Sequence, residues 1–426
     1  MTQIISMESW IIIISIICIL ILIESLIFIL VTFVRKNFQW LITNKDEFPK
    51  FSQRDLEKFF PNGFDSELGW VRKPNTNKIE KNGNKQTTWN INSIGSRINP
   101  NFEKYNSLIS CYGDSFTFAR QVNDDETWEH YLSKYLKTNV LNFGVGNHGI
   151  DQSLLRLKRE FPKNNTPIVI LAVVPDTISR ILSTWKHYYE YGNTFAFKPR
   201  FIIKNSELIL IKNPINKESK FTIYQNYLKE IQKNDFFYEN KFKKEKLKFP
   251  YSFSILKNPH RNFSIIWWVC VIQFFHLIKL DTSKIDWNPM RIIMKINLQW
   301  RVKLFSDENT ITLLQKIIED FVTYSKNENF IPVFIFLPQK DDVIFTKNYF
   351  NFYNKFEKSL LKIKDLVYVD IMKSLQNIPN LDEFYSDKNE YGGHYSQLGN
   401  KKISEIILND LNNFESIKKI LSNSKN

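Results

Sequence analysis

Two short stretches hold the side chains best suited to chemistry: Tyr112-Gly113-Asp114-Ser115-Phe116-Thr117 and, far downstream, Gly392-Gly393-His394-Tyr395-Ser396. A serine hydroxyl becomes a useful nucleophile only when a neighbouring imidazole takes its proton. That imidazole works best when an acceptor holds its other ring nitrogen. Ser115 and His394 supply the first two parts of such a device. A third requirement is a turn whose backbone N–H groups can face a developing oxyanion, and Phe143-Gly144-Val145-Gly146-Asn147-His148-Gly149 has the glycines for it. Each feature also has an ordinary reading: Ser115 as a helix N-cap, the glycines as a plain βα turn.

Of the six histidines, His130 lies in a helical pattern and His260 and His276 lie outside the regular α/β rhythm. His148 and His187 follow strand ends. His394 precedes a final amphipathic helix, on a loop that returns beside the end of the strand before Ser115, and is the candidate base.

These residues need a scaffold, and from residue 106 the sequence alternates strand and helix. Apolar runs at 108–112, 140–145, 168–174, 331–337 and 366–370 predict strands. Periodic segments at 126–136, 151–161, 310–325, 349–363 and 401–412 predict helices. The alternation implies an α/β fold with a doubly wound parallel sheet of about five strands. Ser115 then sits at the carboxyl end of the first strand, where open α/β sheets place their ligands. The α/β domain is expected over 106–183 and 305–415. A β-rich prelude with the turn signals Pro61-Asn62-Gly63 and Lys81-Asn82-Gly83-Asn84 precedes it over 35–105, and an insertion over 184–304 interrupts it. Within the insertion, the aromatic run at 185–191 either walls a pocket or packs the insertion onto the sheet. The apolar segment 263–278 is either a core helix or an interfacial one, being short for a membrane span.

With 426 residues, 43% apolar and 15% aromatic, the chain can bury one large core or two domains with accessories. Its net charge of +14 is spread along the whole length without a dense basic stripe, which argues for a solvated lysine-rich surface and against a nucleic-acid partner. Cys18, Cys111 and Cys270 have neither disulfide nor metal spacing, and no metal or organic cofactor is implied.

Residues 10–34 are almost entirely Ile, Leu, Val and Phe, and at ~1.5 Å per residue they exceed the ~30 Å hydrocarbon core. They predict an uncleaved single-pass anchor. Arg35, Lys36, Lys45 and Lys50 follow it, so the positive-inside rule favours a cytoplasmic catalytic domain. Glu24 within the span is either a functional carboxylate or a helix-association contact, and its neighbour Ser25 favours association.

Gly113-Asp114-Ser115-Phe116, the turn at 142–152, and Gly393-His394-Tyr395-Ser396-Gln397-Leu398-Gly399-Asn400 together resemble the SGNH/GDSL hydrolase superfamily. Asp65-Ser66-Glu67-Leu68-Gly69-Trp70 is similar to the lead-in of its membrane-anchored bacterial members. The resemblance covers roughly 65–183 and 328–412. It implies a flavodoxin-like sandwich, Ser115 as nucleophile, His394 as base, and oxyanion donors from the Ser115 N–H and the Gly146-Asn147 turn. Three positions depart from the pattern. Asn147 replaces a glycine but keeps its N–H and tolerates a left-handed conformation. Pro175 stands where an asparagine donor is usual. Tyr391 stands where the acid is usual, leaving Glu390 or Asp387 as the third member. The expected function is hydrolysis of an acyl ester, such as an acetyl group on a glycan or lipid. O-acyl transfer by the same serine and a catalytically weak membrane-anchored binding module are the alternatives.

Overall fold

Five runs rich in branched and aromatic side chains form buried strands: β1 (Ser107–Gly113), β2 (Asn139–Asn142), β3 (Ile168–Val173), β4 (Ile331–Phe336) and β5 (Val367–Asp370). The structure is a computed structural model that describes residues 7–82, 85–387, 389–391 and 393–423. Gly392 of the histidine motif and Gly83-Asn84 of one turn signal lie outside the described residues. All neighbouring strands of the sheet pair in parallel, in the order β5-β4-β3-β1-β2. Counted from the β2 edge this is 2-1-3-4-5, the doubly wound flavodoxin-like order, whose switch point lies between β1 and β3. Every residue of β3 is buried, which explains why it reads as an unbroken apolar run without alternation.

The helices α2 (Trp128–Leu136), α3 (Ile150–Glu160), α5 (Glu308–Glu328) and α8 (Gln397–Leu411) cover this sheet, α2 packing with α8 and α3 with α5. The helix expected at 349–363 is shorter, α7 (Asn354–Leu360), and a separate helix that the sequence did not announce, α6 (Lys340–Asn348), precedes it. Asn351 accounts for the break: its Oδ1 accepts the Tyr353 N–H at 3.1 Å and its Nδ2 donates to Glu357 at 2.6 Å, a side-chain turn that competes with helical bonding. Regular β2 pairing stops at Asn142, short of the expected 145. The Phe143 and Val145 N–H groups still donate to the Cys111 and Gly113 carbonyls, so the following turn remains tied to β1.

The chain forms two compact units. One comprises Phe51–Lys186, Phe195–Asp235 and Asn297–Asn426, and it contains the sheet. The other comprises Met1–Lys50, His187–Thr194 and Phe236–Ile296. Its core joins Val31, Val34 and Leu41 to Ile265, Ile266 and Val269, so α1 (Met7–Asn37) packs against α4 (Pro259–Leu277). Over Trp10–Asn37, α1 is long and apolar enough to cross a membrane, with a mean hydropathy of 3.1 and none of its most apolar window buried. The α4 segment is partly a core helix. One face is core, while Phe263, Trp267, Phe274 and Leu277 on its other side are exposed. Glu24 accepts the Tyr251 and Ser252 N–H groups at 2.7 and 3.0 Å. It holds the first turn of the short helix Tyr251–Leu256, a helix-to-helix contact that satisfies donors otherwise left open.

Of the 185–191 rings, Trp185, Tyr188 and Tyr189 are almost fully buried. Trp185 stacks on Phe197 at 4.8 Å, and Tyr188 lies 5.0 Å from Phe242. They are packing residues within their respective units.

Candidate active site

Ser115 follows the last residues of β1 at the switch point, and it is nearly buried at 7% exposure. Asp114, just before it, fastens the two strand ends together. Its Oδ1 accepts the Phe116 N–H, and its Oδ2 accepts the Val174 N–H beyond β3, both at 2.9 Å. The buried Arg180 guanidinium adds a bond to Oδ2 at 3.1 Å and donates to the His148 carbonyl at 3.0 Å. Burial pushes the Asp114 carboxyl up, and Arg180 and the two N–H donors oppose that shift.

The turn after β2 lies against the serine. A β-carbon built on Gly146 would stand 3.9 Å from Ser115 Cβ, and Asn147 has φ 69°, the left-handed conformation that asparagine tolerates. The lead-in segment buttresses this turn. Trp70 Nε1 donates to the Gly146 carbonyl at 2.9 Å, His148 Nε2 donates to the Trp70 carbonyl at 2.8 Å, and Gln152 Nε2 donates to Leu68 at 2.7 Å. Among the described residues, the backbone N–H groups of Ser115, Gly146 and Asn147 donate to no protein acceptor. Ser115 is buried and Gly146 and Asn147 are half-buried, so these three donors beside one serine are open to an incoming oxygen acceptor. Pro175, after β3, adds no donor.

His394 arrives from the segment before α8. The Tyr385 and Tyr395 hydroxyls both donate to the Pro338 carbonyl beyond β4, at 2.8 and 3.0 Å, and the Ser386 N–H donates to the His394 carbonyl at 2.8 Å. Its ring lies 4.8 Å from Phe116, the residue next to Ser115. The two catalytic candidates are thus neighbours through Phe116, with no direct Oγ to Nε2 hydrogen bond between them. Such bonds often tighten only when substrate binds.

The acceptor on the imidazole is Gln121. Its Oε1 lies 2.9 Å from the backbone N of His394, 2.9 Å from Nδ1 and 2.6 Å from the Ser386 hydroxyl. A backbone N–H can only donate, so the glutamine atom it meets is the carbonyl oxygen. Nδ1 therefore donates to that oxygen as well, and Nε2 carries the lone pair that a general base needs. Burial first, then the positive charges of Arg120 and Arg180, push the imidazole down to about 3, so it is neutral at pH 7.

Gln121 sits in a left-handed conformation, φ 74°, in a loop held by Arg97, which is buried. Arg97 donates to the carbonyls of Phe118, Ala119 and Val122 at 2.6 to 2.9 Å and pairs with Asp124 at 2.7 Å. Asp387 lines the same cavity as His394, and its carbonyl accepts from Lys340 Nζ at 3.2 Å. Glu390 is exposed on the following turn. That cavity has a volume of about 770 Å³, within the usual range for small-molecule sites, and the hairpin carrying Lys78, Glu80 and Thr87 forms part of its wall. Neither Gln121 nor Arg97 carries a motif, and spacing alone did not point to either.

Four of the other histidines are engaged elsewhere, and His260 is exposed on α4. His130 Nδ1 lies 2.9 Å from Asn99 Oδ1, His187 Nε2 lies 2.8 Å from the Asp46 carbonyl, and His276 Nε2 lies 2.8 Å from the Thr282 hydroxyl. His148 is buried and pushed well down by that burial.

No family model matches this chain, and no curated protein matches it. Among solved structures it is similar to a lipolytic protein of the G-D-S-L family from Desulfitobacterium hafniense DCB-2, at 13% identity and a TM-score of 0.34, covering 72% of this chain and 99% of that one. It is similar to a lipase/acylhydrolase from Enterococcus faecalis at 11% identity and a TM-score of 0.32, covering 72% of this chain and 95% of that one. An acetyl xylan esterase is matched at 10% identity and a TM-score of 0.34, covering 71% of this chain and 98% of that one.

Proposed function

We propose that this protein is a membrane-anchored serine ester hydrolase that removes an acyl group, of the size of acetyl, from a glycan or lipid oxygen ester. The observation that carries the reading is the set of three unused N–H donors, at Ser115, Gly146 and Asn147, around a serine at the switch point of the sheet. The Nε2 lone pair of His394 supports it, because Gln121 holds the imidazole in the required tautomer.

Ser115 Oγ attacks the ester carbonyl while His394 Nε2 takes its proton, and the C=O electrons move onto oxygen beside the three N–H groups. As the tetrahedral carbon collapses, the imidazolium returns that proton to the departing alcohol, leaving an acyl-serine. Water then attacks the acyl carbon with the same base, and the acid and free serine are released. The hydrophobic helix α1 supports attachment to a bilayer, and Arg35, Lys36, Lys45 and Lys50 after it favour the cytoplasmic side.

Turnover of p-nitrophenyl acetate and of O-acetylated glycans by the full chain in detergent tests the reading. Ser115→Ala and His394→Ala should each lower kcat by at least ~10³-fold. Undiminished turnover in Ser115→Ala removes the reading.

A further inference from the structure

Arg72 is an arginine without a hydrogen bond or ion pair among the described residues. The buried arginines of this unit have oxygen acceptors: Arg97 on Asp124, Arg156 on the Phe143 and Gly95 carbonyls, Arg180 on Asp114, Arg200 on the Leu182 carbonyl, Arg301 on Asp341. Arg72 instead lies over two rings, 4.5 Å from Trp89 and 5.0 Å from Phe118, and its Nε is buried without an acceptor. Glu80, a carboxylate that acts on it through space, is bonded to Arg120 and Lys78. With Glu80 committed to Arg120 and Lys78, the half-buried guanidinium keeps terminal N–H groups free to donate to an incoming oxygen. Burial lowers it only to about 10, so it is charged at neutral pH.

Its position suggests what it serves. The point where a β-carbon on Gly146 would stand is 3.9 Å from Arg72 Nη2 and 3.9 Å from Ser115 Cβ. The same strand-like segment that bonds the Gly146 carbonyl through Trp70 delivers Arg72 two residues later. Pro175, after β3, offers no donor from that side.

Resting on the reading of Ser115 as a nucleophile, we propose that Arg72 is a catalytic residue whose terminal N–H donates a charged hydrogen bond to the oxyanion formed on the ester carbonyl. The C–O bond forms from Ser115, the carbonyl electron pair moves to oxygen, and the serine proton goes to His394. Arg72 keeps all its protons throughout and contributes only charge and one hydrogen bond.

The test uses p-nitrophenyl acetate, a neutral ester with no anion for Arg72 to bind in the ground state. Arg72→Met, which keeps the ring contacts, should lower kcat by about 10²- to 10³-fold with KM nearly unchanged. Added methylguanidinium should restore part of the kcat of Arg72→Ala, a rescue that a purely structural role does not give. Should Arg72→Met fail to fold, Gly146→Ala serves instead. The backbone there accepts a side chain, and the methyl group would stand 3.9 Å from both Arg72 Nη2 and Ser115 Cβ, so kcat should again fall in a folded protein. A kcat within about threefold of wild type, or a raised KM with kcat held, overturns the assignment. If wild type turns over no ester at all, the hydrolase reading fails first and this one falls with it. Turnover by wild type with Arg72→Met equally active sinks only the role of Arg72.

Discussion

At His394 the partner on Nδ1 is an amide oxygen where a carboxylate would be expected, and that exchange has a consequence for pH. A carboxylate would favour the protonated ring. Gln121 fixes the tautomer without adding charge, and burial with Arg120 and Arg180 holds the imidazole at about 3. With His394 as the proposed base the neutral ring is the active form, so activity should be lost as pH falls through the imidazole pKa. Wild-type kcat/KM should therefore stay level well below pH 6.5. Gln121→Glu should move its acidic limb to higher pH, because the added charge raises that pKa. Gln121→Ala should lower kcat by about 10²-fold. A pH–rate series on the three proteins checks this, and a wild-type limb near pH 6.5 would contradict it. That Ser115, His394 and the Gly146-Asn147 turn lie near one another was legible because their signals are local: each is a residue type beside a strand end or a glycine. Gln121 was not, since its bond to His394 spans 273 positions and nothing about a glutamine marks it in advance.

At the scale of elements, the loop from Asp114 to Val122, with positive φ at Ala119 and Gln121, is over-determined, as such backbone strain requires. Arg97 grips three of its carbonyls, and Asp114 ties its start to β3 and Arg180. Asp114→Ala strands the Val174 N–H and removes one carboxylate partner of the buried Arg180, which also bonds Asp176. It should cost about 3–5 kcal/mol in the unfolding free energy, read by denaturant titration. A loss within experimental error of zero would show that the clamp is idle. The five strands and four of the helices were readable from apolar runs, because buried parallel strands and long amphipathic helices leave the strongest patterns. The break between α6 and α7 was not, since it depends on Asn351 turning its side chain onto the backbone.

For the whole molecule, the parallel sheet and its switch point followed from the alternation of strand and helix. The composition of the second unit did not: its core is assembled from α1, residues 187–194 and residues 236–296, and no local pattern announces such distant partners. Glu24 satisfies two N–H groups of a helix more than 220 positions away, which accounts for a carboxylate inside an otherwise apolar segment. The membrane assignment predicts that the full chain stays with the membrane pellet after alkaline carbonate and leaves it only with detergent. Release by carbonate alone would contradict a spanning α1. The central claim concerns Ser115, and covalent labelling reaches it most directly. A fluorophosphonate added to the wild-type protein should place one phosphonyl group on the peptide containing Ser115, found by mass spectrometry and absent from Ser115→Ala. No adduct on folded wild type, or equal labelling of the two proteins, would contradict the account.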